Sequence, residues 1–176
     1  MKHVYEFTNQ RKLTKSEFLR WFQKKVWYTI RKFGMIKNGD VVVYENKGDF
    51  RGVVLENVLK MFSEKADIKL VKNKSNKSTK RAVSSTTDTE SDKLVHELIK
   101  GNVKNLKELG SVVGKIIKPL YLFLDKEVLL YAKLKKLKYK KKVEKKDKIS
   151  NFIDDLEQKH PEIKHAIVNS YLEIYN

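Results

Sequence analysis

The clearest hydrophobic pattern of this chain lies between Thr14 and Gly34, where apolar side chains recur every three or four residues. This spacing places them on one face of a helix. Thr14 followed by Glu17 is typical of a capping box that begins a helix, and Gly34 suits the position just after its end. The predicted buried stripe consists of Phe18, Phe22, Val26, Ile30 and Phe33.

Shorter apolar segments farther along the chain predict strands that alternate with helices. Val41–Tyr44 indicates a buried strand, residues 52–63 a helix and residues 68–71 a second strand, which together form a βαβ unit with parallel strands. A third strand is expected from Arg81, and residues 102–118 are expected to form an irregular loop with a helical turn. Further helices are predicted over 88–100, from Asp125 to about Leu137, and near 148–159 and 161–174. The predicted fold class is α/β, a reduced parallel sheet with flanking helices and a C-terminal helical pair.

Changes in composition divide the 176 residues into four expected segments. The predicted segments are an N-terminal segment with its entry helix (1–36), an α/β core (37–137), a lysine-rich linker (138–148) and the C-terminal helices (149–176). No apolar run is long enough for a membrane span, which favours a soluble, cytoplasmic protein.

The loop after the first core strand has the outline of a phosphate-binding loop. Strand 41–44 leads into Lys47-Gly48-Asp49-Phe50-Arg51-Gly52, and an apolar helix follows. A glycine-containing loop between a strand and a helix directs backbone N–H groups at phosphate oxygens. However, Asp49 places a negative charge in the loop and Phe50 places a bulky ring there, and both oppose a triphosphate.

Several segments, in chain order, resemble the PP-loop ATP-pyrophosphatase family, and most closely its tRNA 2-thiolation branch, the TtuA-like 2-thiouridine synthetases. The densest match is the entry helix from Phe18 to Ile36, and residues 84–102 and 151–164 also match. In the phosphate loop itself, Gly48 is the single family residue that remains among six. The resemblance implies an adenine nucleotide alpha hydrolase-like fold in a truncated member whose loop is degenerate, so that the enzyme reaction is lost.

The resemblance also bears on cofactors. Lys47, Gly48 and Arg51 are the residues that such a loop would use to bind a nucleotide phosphate. The family's metal sites rely on cysteines, and this chain has none. We therefore expect no zinc, no iron–sulfur cluster and no other cofactor, and we disfavour ATP with magnesium. The histidines show no metal spacing, so no metal or catalytic residue is predicted.

The net charge of +17 favours a polyanionic partner such as RNA, because basic surfaces release counterions when they bind phosphates. Ten lysines lie within residues 133–148 alone. A lysine-rich thermophile surface is the competing explanation. Trp21 and Tyr28 lie off the buried stripe and either stack on exposed bases or extend the core. The predicted RNA-binding residues are Lys24, Lys25, Arg31, Lys32, Lys135, Lys136, Lys140 and Lys141.

Three hypotheses follow. The preferred one is a catalytically inactive relative of the tRNA thiolation enzymes that binds tRNA or another structured RNA. The resemblance adds that it forms a homo-oligomer or pairs with an active tRNA thiolation enzyme. The alternatives are an adenine-nucleotide-binding enzyme with a remodelled loop, and an assembly protein whose charge is incidental.

Overall fold

The computed structural model describes residues 2–72, 79–141 and 146–175, and the predicted linker therefore lies partly outside the described residues. The strands are β1 (His3–Glu6), β2 (Lys12–Thr14), β3 (Val41–Tyr44), β4 (Lys69–Lys72), β5 (Lys80–Ala82), β6 (Val112–Val113) and β7 (Ile116–Ile117). The helices are α1 (Lys15–Lys32), α2 (Phe50–Ser63), α3 (Thr87–Ile99), α4 (Val103–Leu106), α5 (Asp125–Leu134), α6 (Lys148–Lys159) and α7 (Ile163–Tyr175). No helix of the described ranges is both long and apolar enough to cross a membrane.

The main sheet has the strand order β4-β3-β5-β7-β6, and its neighbours run parallel except for β6 beside β7. β1 and β2 form a separate antiparallel pair. From β3 the chain passes through α2 to β4 on one side and then returns to β5 on the other side. The strand order therefore reverses between β3 and β5, and a crevice at the carboxyl ends of these strands is where open α/β sheets bind ligands.

α1 confirms the hydrophobic stripe predicted from the sequence. Phe18, Phe22, Val26 and Ile30 are fully or almost fully buried, and Phe22 stacks on Tyr131 of α5. The Glu17 carboxylate accepts a hydrogen bond from the Thr14 backbone N–H at 2.8 Å, which fixes the first turn. The apolar cluster around α1 also contains side chains of β3, α2 and α5 and forms the main core.

A second, smaller core joins the C-terminal helices to the sheet domain. Its buried members are Leu94, Leu106, Tyr121, Val168, Tyr171 and Leu172. The Tyr171 hydroxyl donates a hydrogen bond to the Leu106 carbonyl at 2.7 Å, so the last helix is fixed to the turn after α3.

The differences from the sequence predictions include two helix boundaries and one hairpin. α2 begins at Phe50 instead of residue 52, because the Asp49 side chain caps the helix by accepting from the Gly52 N–H. α5 ends at Leu134, before the predicted Leu137, and Lys136 has a left-handed backbone (φ 55°) that stops the helix. The β6–β7 hairpin was expected to be irregular loop, because strands of two residues are too short to show a period.

Candidate functional site

The phosphate-binding loop predicted at residues 47–52 lies at the switch point of the sheet, but its donors are bonded within the chain. Gly48 has a left-handed backbone (φ 81°), and its N–H donates to the Asn46 side-chain oxygen at 2.8 Å. The Gly52 N–H donates to the Asp49 carboxylate at 2.8 Å. Both N–H groups are therefore occupied by side-chain oxygens of the chain itself.

Gly52 lies where the packing of this loop is tight. A Cβ atom at this position would lie 3.0 Å from oxygens of Asn46 and Asp49 and 3.2 Å from the Lys47 nitrogen. Asn46 is itself held by Glu56, whose carboxylate accepts from the Asn46 amide at 2.6 Å. Although burial raises the pKa of Glu56, hydrogen bonds from Lys60 and Asn46 lower it to about 2 overall, so Glu56 is ionised at neutral pH.

Arg51, the predicted phosphate ligand on α2, forms an ion pair with Asp125 at the start of α5. The Arg51 Nε donates to one Asp125 oxygen at 2.8 Å, and a terminal guanidinium nitrogen contacts the other oxygen. The Thr86 hydroxyl donates to the same carboxylate at 2.7 Å. The Arg51 side chain is 12% exposed, so this fork-shaped pair is held away from solvent.

The ion-pair network continues across the crevice to the C-terminal helices. The Asp125 backbone N–H donates to Asp88 at 2.7 Å, and the Lys164 ammonium donates to Asp88 at 2.7 Å. Lys164 also contacts Asp154 at 2.9 Å and Glu157 at 2.7 Å. Burial and the neighbouring Asp125 raise the pKa of Asp88. The resulting chain of charges, Arg51–Asp125–Asp88–Lys164, is called the crevice network below, and it lines a cleft of about 720 Å³.

A separate buried pair lies one turn into α3. The Glu90 side chain is fully buried and accepts hydrogen bonds from the Ser85 hydroxyl and from Lys118, the latter at 2.8 Å. Burial lowers the pKa of Lys118. Asp88 and Glu90 lie in the first turn of α3, where a carboxylate also complements the helix dipole. Lys164, which pairs with Asp88, lies 76 residues away in the chain, and Lys118, which pairs with Glu90, lies 28 residues away, so no local pattern indicates these two ion pairs.

The other two predicted loop residues lie beside the lysine-rich segment that follows α5. The Lys140 backbone N–H donates to the Gly48 carbonyl at 2.7 Å, and the Lys140 side chain passes 3.8 Å from where a Gly48 Cβ would lie. Tyr139 meets Phe50 edge to face. Lys47 is exposed and forms no ion pair with the described residues. The structure therefore brings the loop and part of the predicted RNA-binding lysines together.

The predicted basic residues of α1 fall into two environments. Lys24, Arg31 and Lys32 are exposed and have no carboxylate partner among the described residues. Lys25 is partly buried, lies 3.3 Å from the Glu127 carboxylate and covers the rings of Trp21 and Phe123. Burial lowers the pKa of Lys25.

The aromatic residues of α1 also fall into two environments, the core and the exposed surface. Trp21 packs among Tyr5, Phe7 and Phe18, and Trp27 packs on Phe62, so both extend the core. Tyr28 is 56% exposed. Arg20 shares the exposed face and was missed by the sequence analysis, although its position four residues before Lys24 and eight before Tyr28 is the signal that indicates it.

The remaining predicted RNA-binding residues lie in the stretch after α5. Lys135, Lys136, Lys140 and Lys141 are all exposed. None of these four ammonium groups forms an ion pair with a residue inside the described ranges. Over the same ranges, no group of three or more histidine, aspartate or glutamate side chains is arranged to hold a metal ion.

The chain is similar in structure to the U34-tRNA thiolase NcsA from Methanococcus maripaludis, which was solved with its 4Fe–4S cluster. The TM-score is 0.80 at 20% sequence identity, and the match covers 98% of this chain and 84% of the thiolase chain. No protein-family model and no curated protein matches the sequence. The likeness confirms the predicted adenine nucleotide alpha hydrolase-like α/β fold.

The comparison corrects the expectation about cofactors. We expected no cofactor. The thiolase that has the same fold holds a 4Fe–4S cluster, so this expectation is wrong for the fold. Protein ligands of such clusters are cysteine thiolates, and the 176 residues contain no cysteine. The residues present do not fit the cluster. The chain therefore shares its fold with this thiolase.

Proposed function

We propose that this chain is a non-catalytic relative of the tRNA thiolation enzymes that binds tRNA or another structured RNA. The observation that carries the proposal is the exposed face of α1, where cations lie without carboxylate partners among the described residues. Such cations are not neutralised within the protein and are free to replace the counterions of a phosphate backbone. The fold and the net charge of +17 support the same class of ligand.

The loss of catalysis is proposed from the loop. Phosphoryl and nucleotidyl chemistry needs N–H donors and cations directed at the phosphates. In this loop the Gly48 and Gly52 N–H groups are bonded to Asn46 and Asp49, and Arg51 is paired with Asp125. A triphosphate would have to displace all three interactions, of which two are with the carboxylates Asp49 and Asp125 and one is with the neutral amide oxygen of Asn46.

RNA affinity measured at increasing salt tests the proposal. Labelled tRNA should bind at low salt, and the logarithm of the association constant should fall with the logarithm of salt by roughly 0.7 to 0.9 per phosphate contact. Replacing Lys24, Arg31 and Lys32 by Glu should weaken binding and flatten this slope. Lys104→Glu, at an exposed position on α4, serves as a single-charge comparison. A salt-independent affinity, or no binding at low salt, would contradict the proposal.

The proposal extends to a protein partner, either a second copy of this chain or an active tRNA thiolation enzyme. It rests on the thiolase fold alone. Light scattering of the isolated chain, and of the chain mixed with such an enzyme, gives the mass of each species. A monomer in both samples removes this part of the proposal and leaves RNA binding unaffected.

A further inference from the structure

Tyr28 is an exposed aromatic side chain whose position the core does not explain. Its ring is 56% exposed, and no other aromatic ring of the described residues stacks on it. The Lys32 ammonium lies 5.8 Å from the ring centroid, and the Tyr28 hydroxyl makes no hydrogen bond to the described residues. Tyr175, another exposed tyrosine, differs because its ring stacks on Tyr171 at 4.9 Å.

Cations surround Tyr28 along one side of α1. Arg20, Lys24, Tyr28 and Arg31 follow one another at helical spacings of four, four and three, so they form a ridge about 16 Å long. Arg20, Lys24 and Arg31 form no ion pair with any described residue, and Lys32 contacts only aromatic rings. In such an arrangement the aromatic ring can stack on a base of a nucleic acid, and the unpaired cations on either side can neutralise its phosphate backbone.

Two shallow clefts flank this ridge. The one on the Tyr28 side has a volume of about 470 Å³, and its cations are Arg11, Arg20, Lys24 and Lys25. Its one acidic residue, Glu17, is engaged by Thr14. The cleft on the other side, about 440 Å³, is lined by Arg20, Lys24, Arg31 and Lys65 with the single acid Glu64. Positive charge therefore exceeds negative charge on both sides of the ridge.

From this arrangement we propose that Tyr28 is a stacking platform for one unpaired base of a bound RNA, with Arg20, Lys24 and Arg31 holding the adjoining phosphates. The inference rests on the proposed function and makes it more specific. The ligand is single-stranded because bases within an A-form duplex are stacked on one another and their faces are closed to a side chain. The phosphates give affinity for any RNA, and the ring adds preference for an unpaired segment.

The test compares two probes, a short oligouridine and a flush-ended duplex, on the full chain. Tyr28→Ala should weaken oligouridine binding about fivefold or more, which corresponds to the lower bound of ~1 kcal/mol for one stacked base. Duplex affinity and the salt slope should not change, since no charge is removed. Tyr28→Phe should retain wild-type affinity, and Tyr175→Ala on α7 is the matched control.

A second readout reports stacking directly. An oligonucleotide that carries 2-aminopurine should lose fluorescence on binding to the wild type and to Tyr28→Phe, and keep it with Tyr28→Ala. Trp21 and Trp27 line the two clefts, so the change in tryptophan fluorescence as RNA is added gives an independent measure of affinity.

The outcomes separate the two proposals. If Tyr28→Ala binds both probes as the wild type does, while Lys24→Glu with Arg31→Glu binds them weakly, RNA binding stands and the stacking platform is wrong. Equal losses on the duplex and the single strand also overturn the platform. If the wild type binds neither probe at low salt, both proposals fail.

Discussion

At the scale of single residues, the difference between Lys24 and Lys25 shows what the sequence could and could not predict. Both are lysines in the same basic cluster, and one residue step, a rotation of about 100° around the helix axis, separates an exposed from a partly buried position. The hydrophobic stripe of α1 is readable from spacing, because it depends on neighbours within seven residues. The partner of Lys25, Glu127, lies 102 residues away, so the sequence gives no sign of that pair.

The pair of Arg51 with Asp125 has the same character, since its members lie 74 residues apart. We expect Arg51→Met to lower the free energy of unfolding by about 1–3 kcal/mol, because it leaves the partly buried Asp125 carboxylate with the Thr86 hydroxyl but without its cation. Arg51→Met combined with Asp125→Leu should recover part of the loss. Urea denaturation of the single and double variants measures the coupling. Single-variant effects that simply add would show that the two side chains do not interact.

At the scale of elements, α6 is held to α3 by a contact that depends on pH. The His96 ring donates to the Asp92 carbonyl through Nδ1 at 2.7 Å and faces the Asp147 carboxylate through Nε2 at 2.6 Å. Both nitrogens face acceptors, so the protonated imidazolium satisfies both contacts. The hydrogen bond to Asp147, with that to Asp92, raises the pKa of His96.

A histidine whose pKa is raised in the folded state stabilises the fold when it is protonated. This stabilisation is fully present below the ordinary histidine pKa of about 6.5, and it is lost as the pH rises through the folded-state pKa. The stability of the wild type relative to His96→Gln should therefore fall above pH 6.5. Asp147 also caps α6 through the Ser150 N–H, so Asp147→Asn keeps the cap and removes the charge. Urea unfolding of the wild type and the two variants at a series of pH values measures the free energy of unfolding and so checks this pH dependence. A stability difference that is constant with pH would contradict the assignment.

The segment after α5 provides a second prediction at this scale. Replacing Lys135, Lys136, Lys140 and Lys141 by Glu should weaken RNA binding without unfolding the chain. All four ammonium groups are exposed, and the contact of Lys140 with Gly48 goes through its backbone N–H, which the substitution retains. Circular dichroism controls for folding, and RNA affinity is the readout. Unchanged affinity would show that these lysines form only a solvated surface.

At the scale of the whole molecule, the parallel sheet and most helices could be predicted because each is encoded by local patterns. The crevice network could not, because it joins α2, α3, α5 and the C-terminal helices through side chains distant in sequence. It holds the first turns of α2, α3 and α5 and the C-terminal helices together at the crevice. Three observations support the proposed function. They are the fold shared with the thiolase, the loop whose N–H groups donate to side chains of the chain itself, and the α1 cations that have no carboxylate partner among the described residues.

The formation of AMP and pyrophosphate from ATP, magnesium and tRNA tests the central claim most directly. The account predicts no AMP above a protein-free control, because Asn46, Asp49 and Asp125 already occupy the donors and the cation that the phosphates need. AMP formation by the wild type that disappears in Lys47→Ala, a substitution of an exposed side chain, would contradict it.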